Sequence, residues 1–243
     1  MKRTEIHFDI DTVPTAFRPY FENAMIYDSS CSENARTLYI SGANKLFLKI
    51  SKQQTLQREA DMTAFLHRLH AAPKVVAYES DGEHDYLLLE AAEGEDGTAP
   101  MHLGKPAQLA AAFGEYLQML HTLPTDGCPY SGRTREIVKE AGISEAALAT
   151  LNELNYTPAD QVIIHGDYCL PNIIMDNFVF KGFIDVGFGG IGDRHYDLYW
   201  GLWTLQFNLK TDQYNDIFLN AYGRHLIHSD GLAYYTRLAE LSD

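Results

Sequence analysis

Cysteine, long apolar runs and clustered positive charge are what this 243-residue chain has little of, and each shortage narrows the field. Its three cysteines, Cys31, Cys128 and Cys169, stand far apart with no C-x-x-C spacing, which suits free thiols in a reducing compartment rather than a disulfide framework. No window supplies the roughly 18 uninterrupted apolar residues of a membrane helix, and the polar start carries no secretory stretch, so a cytoplasmic protein without a membrane partner is expected. Lys and Arg number 19 against 33 Asp and Glu, a net charge of −14. Nucleic acid, which demands clusters of basic residues, is thereby excluded as a partner, whereas a cationic small molecule would be drawn in. Internal repeats, low-complexity tracts and heptads are missing too.

What is present is a hydrophobic fraction of 46%, enough for one large domain or two lobes sharing an interface. Residues 37–40 and 45–50 are β-rich runs around Ser-Gly-Ala-Asn, the pattern of a hairpin. A helix is predicted over about 55–70, ending before Pro73, and two strands at 74–79 and 85–90 around a Ser-Asp-Gly turn. The Gly-rich acidic stretch 93–100 has neither period nor apolar anchor and marks the boundary between a lobe spanning 1–91 and one spanning 92–243. Beyond it, Leu109, Phe113, Leu117 and Leu120 recur at helical spacing. Short strands are predicted at 162–164, 173–175 and 180–184, the last two around a turn at Asp176-Asn177, and aromatic-rich helices run from Asp193 onward. A β-rich lobe followed by a helical lobe with an embedded hairpin is an α+β layout of protein-kinase-like bilobal type.

Two spaced motifs carry the chemistry. His165-Gly166-Asp167 with Asn172 five positions after the aspartate matches the kinase pattern H-R-D-x-x-x-x-N, and Asp185-Val186-Gly187 matches D-F-G. Phosphoryl transfer needs a carboxylate that orients the attacking hydroxyl and oxygen ligands that hold Mg²⁺ on the phosphates. Asp167 is accordingly the candidate catalytic base, with Asn172 and Asp185 as Mg²⁺ ligands. Either motif alone is more often loop punctuation. Both in order, each after a short apolar strand, favour the kinase reading.

The first lobe adds a lysine at the end of a post-hairpin strand, Lys49, and a helical glutamate, Glu59, that would hold it against the α- and β-phosphates. The alternative is a lysine on a solvent-facing strand edge and a glutamate decorating an exposed helix face. Where a protein kinase has G-x-G-x-x-G, this chain has Ser and Cys. Small hydroxyl residues still let backbone amides approach phosphate, which makes Ser29 and Ser30 candidate contacts, with a plain turn as the alternative.

HGDYCLPNIIMDN, GFIDVGFGGIGDRHYDLYW, the LFLKI and QREA pair, and the stretch from Leu120-His121 to Cys128-Pro129-Tyr130 together resemble the aminoglycoside phosphotransferase family, particularly its 3'-phosphotransferase branch. The resemblance is densest over 161–200 and keeps its order along nearly the whole chain. It implies a kinase-like bilobal fold, ATP (or GTP) and Mg²⁺ in the cleft, contacts to the base from the linker around Glu90 and Ala92, and an acidic pocket for a polycationic antibiotic. Three features depart from that pocket. Phe188 stands where relatives have Arg, Phe207 and Asn208 stand where they have an acidic pair, and the segment between Tyr130 and His165 is shorter. Glu240 and the terminal carboxylate of Asp243 match the family's C-terminal end and would meet an amine. Each ammonium buried without a partner costs several kcal/mol, while aromatic rings suit stacking on a sugar.

The expectation is thus a small-molecule kinase acting on a hydroxyl of an aminoglycoside-type antibiotic, as monomer or homodimer. A sugar or amino alcohol is the alternative acceptor, and a nucleotide-binding pseudo-enzyme the alternative class.

Overall fold

The computed structural model describes residues 3–31 and 35–242. The first lobe is an antiparallel sheet in the order β1-β2-β3-β4-β6-β5. Its strands are β1 (Thr4–Glu5), β2 (Met25–Asp28), β3 (Ala35–Ser41), β4 (Lys45–Lys52), β5 (Val75–Ser80) and β6 (His84–Glu90), with helix α1 (Gln57–Arg68) between β4 and β5. Strand alternation sorts the side chains between two faces. Leu38, Ile40, Leu46, Leu48 and Leu88 pack on Val13, Phe17 and Phe21, while Leu87 and Leu89 turn the other way, onto Leu56 and Ala60. Lys49 opposes Thr37 on one side and Leu87 on the other, so it occupies an interior strand and shares the face that α1 covers. The edge alternative for this lysine therefore falls away.

Helix α1 has no side-chain cap of its own, and Asp85 of β6 supplies one by accepting from the Leu56 amide at 2.9 Å. Burial works against the Asp85 charge, yet that amide and its neighbours hold the carboxyl below the ordinary range. The first turn of α1 is thus fixed to the sheet that carries Lys49.

The stretch 93–100, read from the sequence as the boundary between lobes, contains a strand. β7 (Glu95–Asp96) pairs with β9 (Ile173–Asp176), which pairs in turn with β10 (Val179–Phe183). Gly94 makes this possible: its φ is +124°, and a Cβ there would lie 2.5 Å from the Met175 carbonyl oxygen. The β9–β10 turn is formed by Asn177 and Phe178, both left-handed, one residue later than the sequence implied.

The helical lobe holds α2 (Pro100–Leu103), α3 (Pro106–His121), α4 (Arg133–Glu140), α5 (Glu145–Asn152), α6 (Arg194–Leu209), α7 (Asn215–Tyr222) and α8 (Ser229–Ser242). Its larger core joins Leu109, Phe113, Leu117 and Leu120 of α3 to Tyr168, Phe183, Leu198 and Phe218, and Met62, Phe65 and Leu66 of α1 pack into the same cluster. A further pair, β8 (Val162–Ile164) with β11 (Gly190–Gly192), brings the segments before Asp167 and after Asp185 side by side. Among the described residues no helix is long and apolar enough to cross a membrane.

Candidate active site

The loop 165–172 is held from beneath by a buried acid. Asp197 of α6, fully buried, accepts from the His165 amide at 2.6 Å and the Gly166 amide at 3.0 Å. His121 reaches the same carboxylate through Nε2 at 3.2 Å, and its Nδ1 meets the Tyr222 hydroxyl at 2.8 Å. Gly166 has φ +81° and lies so close to the next loop that a Cβ would fall 2.1 Å from the Phe188 carbonyl oxygen. Asp167 follows, half-buried, with its amide donating to His165 Nδ1 at 3.3 Å. Asn172 then turns back: its Nδ2 donates to the Asp167 carbonyl oxygen at 3.0 Å and to Asp167 Oδ2 at 2.8 Å. Asn172 Oδ1 is left as an acceptor.

Across the cleft, Lys49 Nζ donates to Glu59 Oε1 at 2.5 Å and also to Asp185 Oδ1. Burial opposes the Lys49 charge, but the Glu59 and Asp185 carboxylates outweigh it and hold the ammonium above its ordinary range. Burial pushes the Glu59 carboxyl up, Lys49 pulls it back, and the Asp185 charge pushes it further up. Asp185 sits in the left-handed region at φ 58°, which turns the chain sharply into the 3-10 turn Val186–Phe188. The two halves of the site are joined by the backbone, because the Ile184 amide donates to the Asn172 carbonyl at 3.0 Å. Lys49, Glu59 and Asp185 thus form one group, Asp167 and Asn172 another, and this hydrogen bond together with the β8–β11 and β9–β10 pairings holds their segments side by side.

Between sheet and helical lobe lies a cavity of about 230 Å³. Phe47, Leu89, Ile174 and Ile184 form its apolar walls, Glu90 and Ala92 its rim, and Lys49, Glu59 and Asp185 its charged end. Ser29 also lines it, buried, with its hydroxyl unpartnered among the described residues. Ser30 is turned to other work: its amide donates to Asp28 at 2.9 Å and its Oγ accepts from the Thr37 amide at 3.0 Å. Among the described residues no three His, Cys, Asp or Glu side chains come close enough to hold a metal ion by themselves. One carboxylate and one amide oxygen are nevertheless the hard donors that suit Mg²⁺, an ion that takes its remaining ligands from water and substrate phosphates.

Residues 30–241 match the model of the phosphotransferase enzyme family. The chain belongs to that family. A probable aminoglycoside 3'-phosphotransferase of Lactococcus lactis is 38% identical over 247 residues, covering 94% of each chain. Among solved structures, this phosphotransferase shares its fold with an aminoglycoside 3'-phosphotransferase of type VIII, at a TM-score of 0.75 and 24% identity over 97% of this chain and all of that one. It also resembles an aminoglycoside phosphotransferase of Streptomyces rimosus solved with ADP and streptomycin, at a TM-score of 0.66 and 21% identity, covering 86% of this chain and 90% of that one. The kinase-like α+β fold expected from the sequence is the one these neighbours have.

The acceptor-side candidates of the phosphotransferase lie on three elements: the turn after Asp185, α6 and α8. Phe188 is exposed and its backbone lies against Gly166 of the Asp167 loop. Phe207 is exposed on α6, stacked on Trp203 with centroids 5.0 Å apart, with Lys210 Nζ 4.2 Å from its ring centre. Asn208 donates to the Thr204 carbonyl at 2.8 Å and so spends its amide within α6. Glu240 pairs with Arg237 at 3.0 Å on the exposed side of α8, and Asp243 lies outside the described residues. Sequence reasoning gave no role to Asp197, Phe47 or Arg133. An acid amid the aromatics of a helix carries no signal until its partners in the loop are known.

Proposed function

We propose that this phosphotransferase moves the γ-phosphoryl group of ATP, or of GTP, onto a hydroxyl of an aminoglycoside. The observation that carries the proposal is the Lys49–Glu59–Asp185 group together with the hydrogen bond from Ile184, next to Asp185, to Asn172, which itself holds Asp167. Phe47 and Leu89 offer apolar surfaces for the base. Lys49, steadied by Glu59, would take the α- and β-phosphates, and the Ser29 hydroxyl is free to donate to a phosphate oxygen. Asn172 Oδ1 and Asp185 would hold Mg²⁺, which when bound neutralises charge on the phosphates. Asp167 orients the acceptor hydroxyl and takes its proton as the oxygen bonds to the γ-phosphorus. The bond to the bridging oxygen breaks and the nucleoside diphosphate leaves.

The acceptor class rests on the names of the curated relatives, which are aminoglycoside 3'-phosphotransferases, and on an acidic chain suited to a polycation. They weigh against a sugar or amino alcohol. A panel of kanamycin-type aminoglycosides with ATP is expected to show turnover, and Asp167→Asn to lower kcat by at least about 100-fold. Turnover surviving that substitution would refute the assigned base, and activity on neutral metabolites alone would refute the acceptor.

A further inference from the structure

Arg58 precedes Glu59 on α1, and nothing in the chemistry above employs it. Its side chain crosses from the helix to the second lobe. Nη1 meets Glu136 Oε2 of α4 at 3.0 Å, Nη2 donates to the Gly189 carbonyl at 3.0 Å, and the guanidinium lies 4.2 Å from the centre of the Tyr130 ring. The receiving groups are themselves fixed. Arg133, whose side chain is 1% exposed, donates to Glu136 Oε2 at 2.5 Å and from Nε to the Phe188 carbonyl at 3.0 Å, and Glu140 takes up its far end. Three residues after Arg58, Asp61 accepts from the Tyr130 hydroxyl at 2.7 Å. Glu59 therefore lies between two attachments of α1 to segments 130–140 and 188–189.

The apolar contacts of α1 with the helical lobe lie further along, at Met62, Phe65 and Leu66. The turn that carries Glu59 has instead Asp85 at its start and Arg58 on its outer side. Glu59 also runs against the second motif, since a Cβ on Gly187 would sit 3.2 Å from Glu59 Cβ. Leu56, Ala60 and Asp85 hold this turn to the sheet, and Arg58 supplies its polar tie to the loop that follows Asp185.

We infer that Arg58 is a positioning residue, holding Glu59 against Lys49 by tying the first turn of α1 to the loop that follows Asp185. The inference rests on the phosphate-binding role proposed for Lys49 and Glu59, and the experiment separates the two. ATP affinity by calorimetry and kcat/KM for ATP with kanamycin are measured for the wild type, Arg58→Ala, Arg58→Lys, Glu59→Gln and Arg58→Ala/Glu59→Gln, with thermal midpoints as the control for folding. Arg58→Ala is expected to lower kcat/KM for ATP on the order of tenfold, with the KM for kanamycin changing less than about twofold, and to change little in the Glu59→Gln background. Arg58→Lys keeps the charge toward Glu136 and is expected to recover part of the loss. Should Arg58→Ala lose its fold, Glu136→Gln weakens one of the three Arg58 contacts from its more exposed side and is expected to give the same pattern at smaller amplitude. Wild-type kinetics in folded Arg58→Ala, or an equal loss on the Glu59→Gln background, would overturn the positioning role alone. An unperturbed Glu59→Gln would overturn the phosphate-lysine assignment beneath it.

Discussion

Asp197 receives two consecutive loop amides and a histidine, so its carboxylate fixes where the backbone of the Asp167 loop can lie. The histidine makes the arrangement sensitive to acid. Burial pushes the His121 imidazole below its ordinary value of 6.5, with the Asp197 charge only partly restoring it, so the folded protein keeps His121 neutral where the unfolded chain is protonated. The unfolded state binds more protons below that pH, and stability therefore falls as pH drops. Urea unfolding between pH 7.5 and 5.5 is expected to show stability falling as the pH drops below 6.5, with a shallower fall in His121→Gln. Lys49, Asp167, Asn172 and Asp185 could be singled out as candidates because phosphoryl transfer demands those residue types at known spacings. Asp197 was not, since its importance lies in backbone amides 31 and 32 residues away.

Elements were legible where a period runs long enough to be seen. α3 announces itself through Leu109, Phe113, Leu117 and Leu120, and the β3–β4 hairpin through its β-rich runs around Ser-Gly-Ala-Asn, whereas the face that Lys49 shares with α1 needed the sheet register. Two-residue strands such as β1 and β7 have no period, and their partners lie far along the chain. What the sequence does contain at β7 is Gly94, which reads as loop punctuation yet permits the close approach to Met175. Gly94→Ala puts a side chain at φ +124° and a Cβ 2.5 Å from a carbonyl oxygen, and is expected to cost about 2–4 kcal/mol in chemical denaturation, with ATP binding weakened because β7 borders the cleft.

At the scale of the whole molecule, the charge of −14 acts over distances that individual contacts do not reach. The KM for kanamycin is expected to rise several-fold between about 0.05 and 0.3 M salt while kcat changes little, because salt screens long-range attraction more than contacts in a closed site. A KM indifferent to salt would remove charge from the account of acceptor capture. The bilobal plan was legible from the sequence, and the seam between lobes was not. Arg58, Glu136, Arg133 and Tyr130 are spread over 79 positions and come together only in three dimensions.

Lys49 donates to Asp185 as well as Glu59, and this has a consequence for how the empty enzyme is primed. On the proposed roles, the cation that would take phosphate and the anion that would take magnesium satisfy each other, so neither is left uncompensated. A triphosphate arriving alone would strip the lysine from Asp185 and leave that carboxylate facing more negative charge. Arriving with its metal, it would give both residues new partners at once, so this ion pair would favour the nucleotide complex that can react over the bare triphosphate.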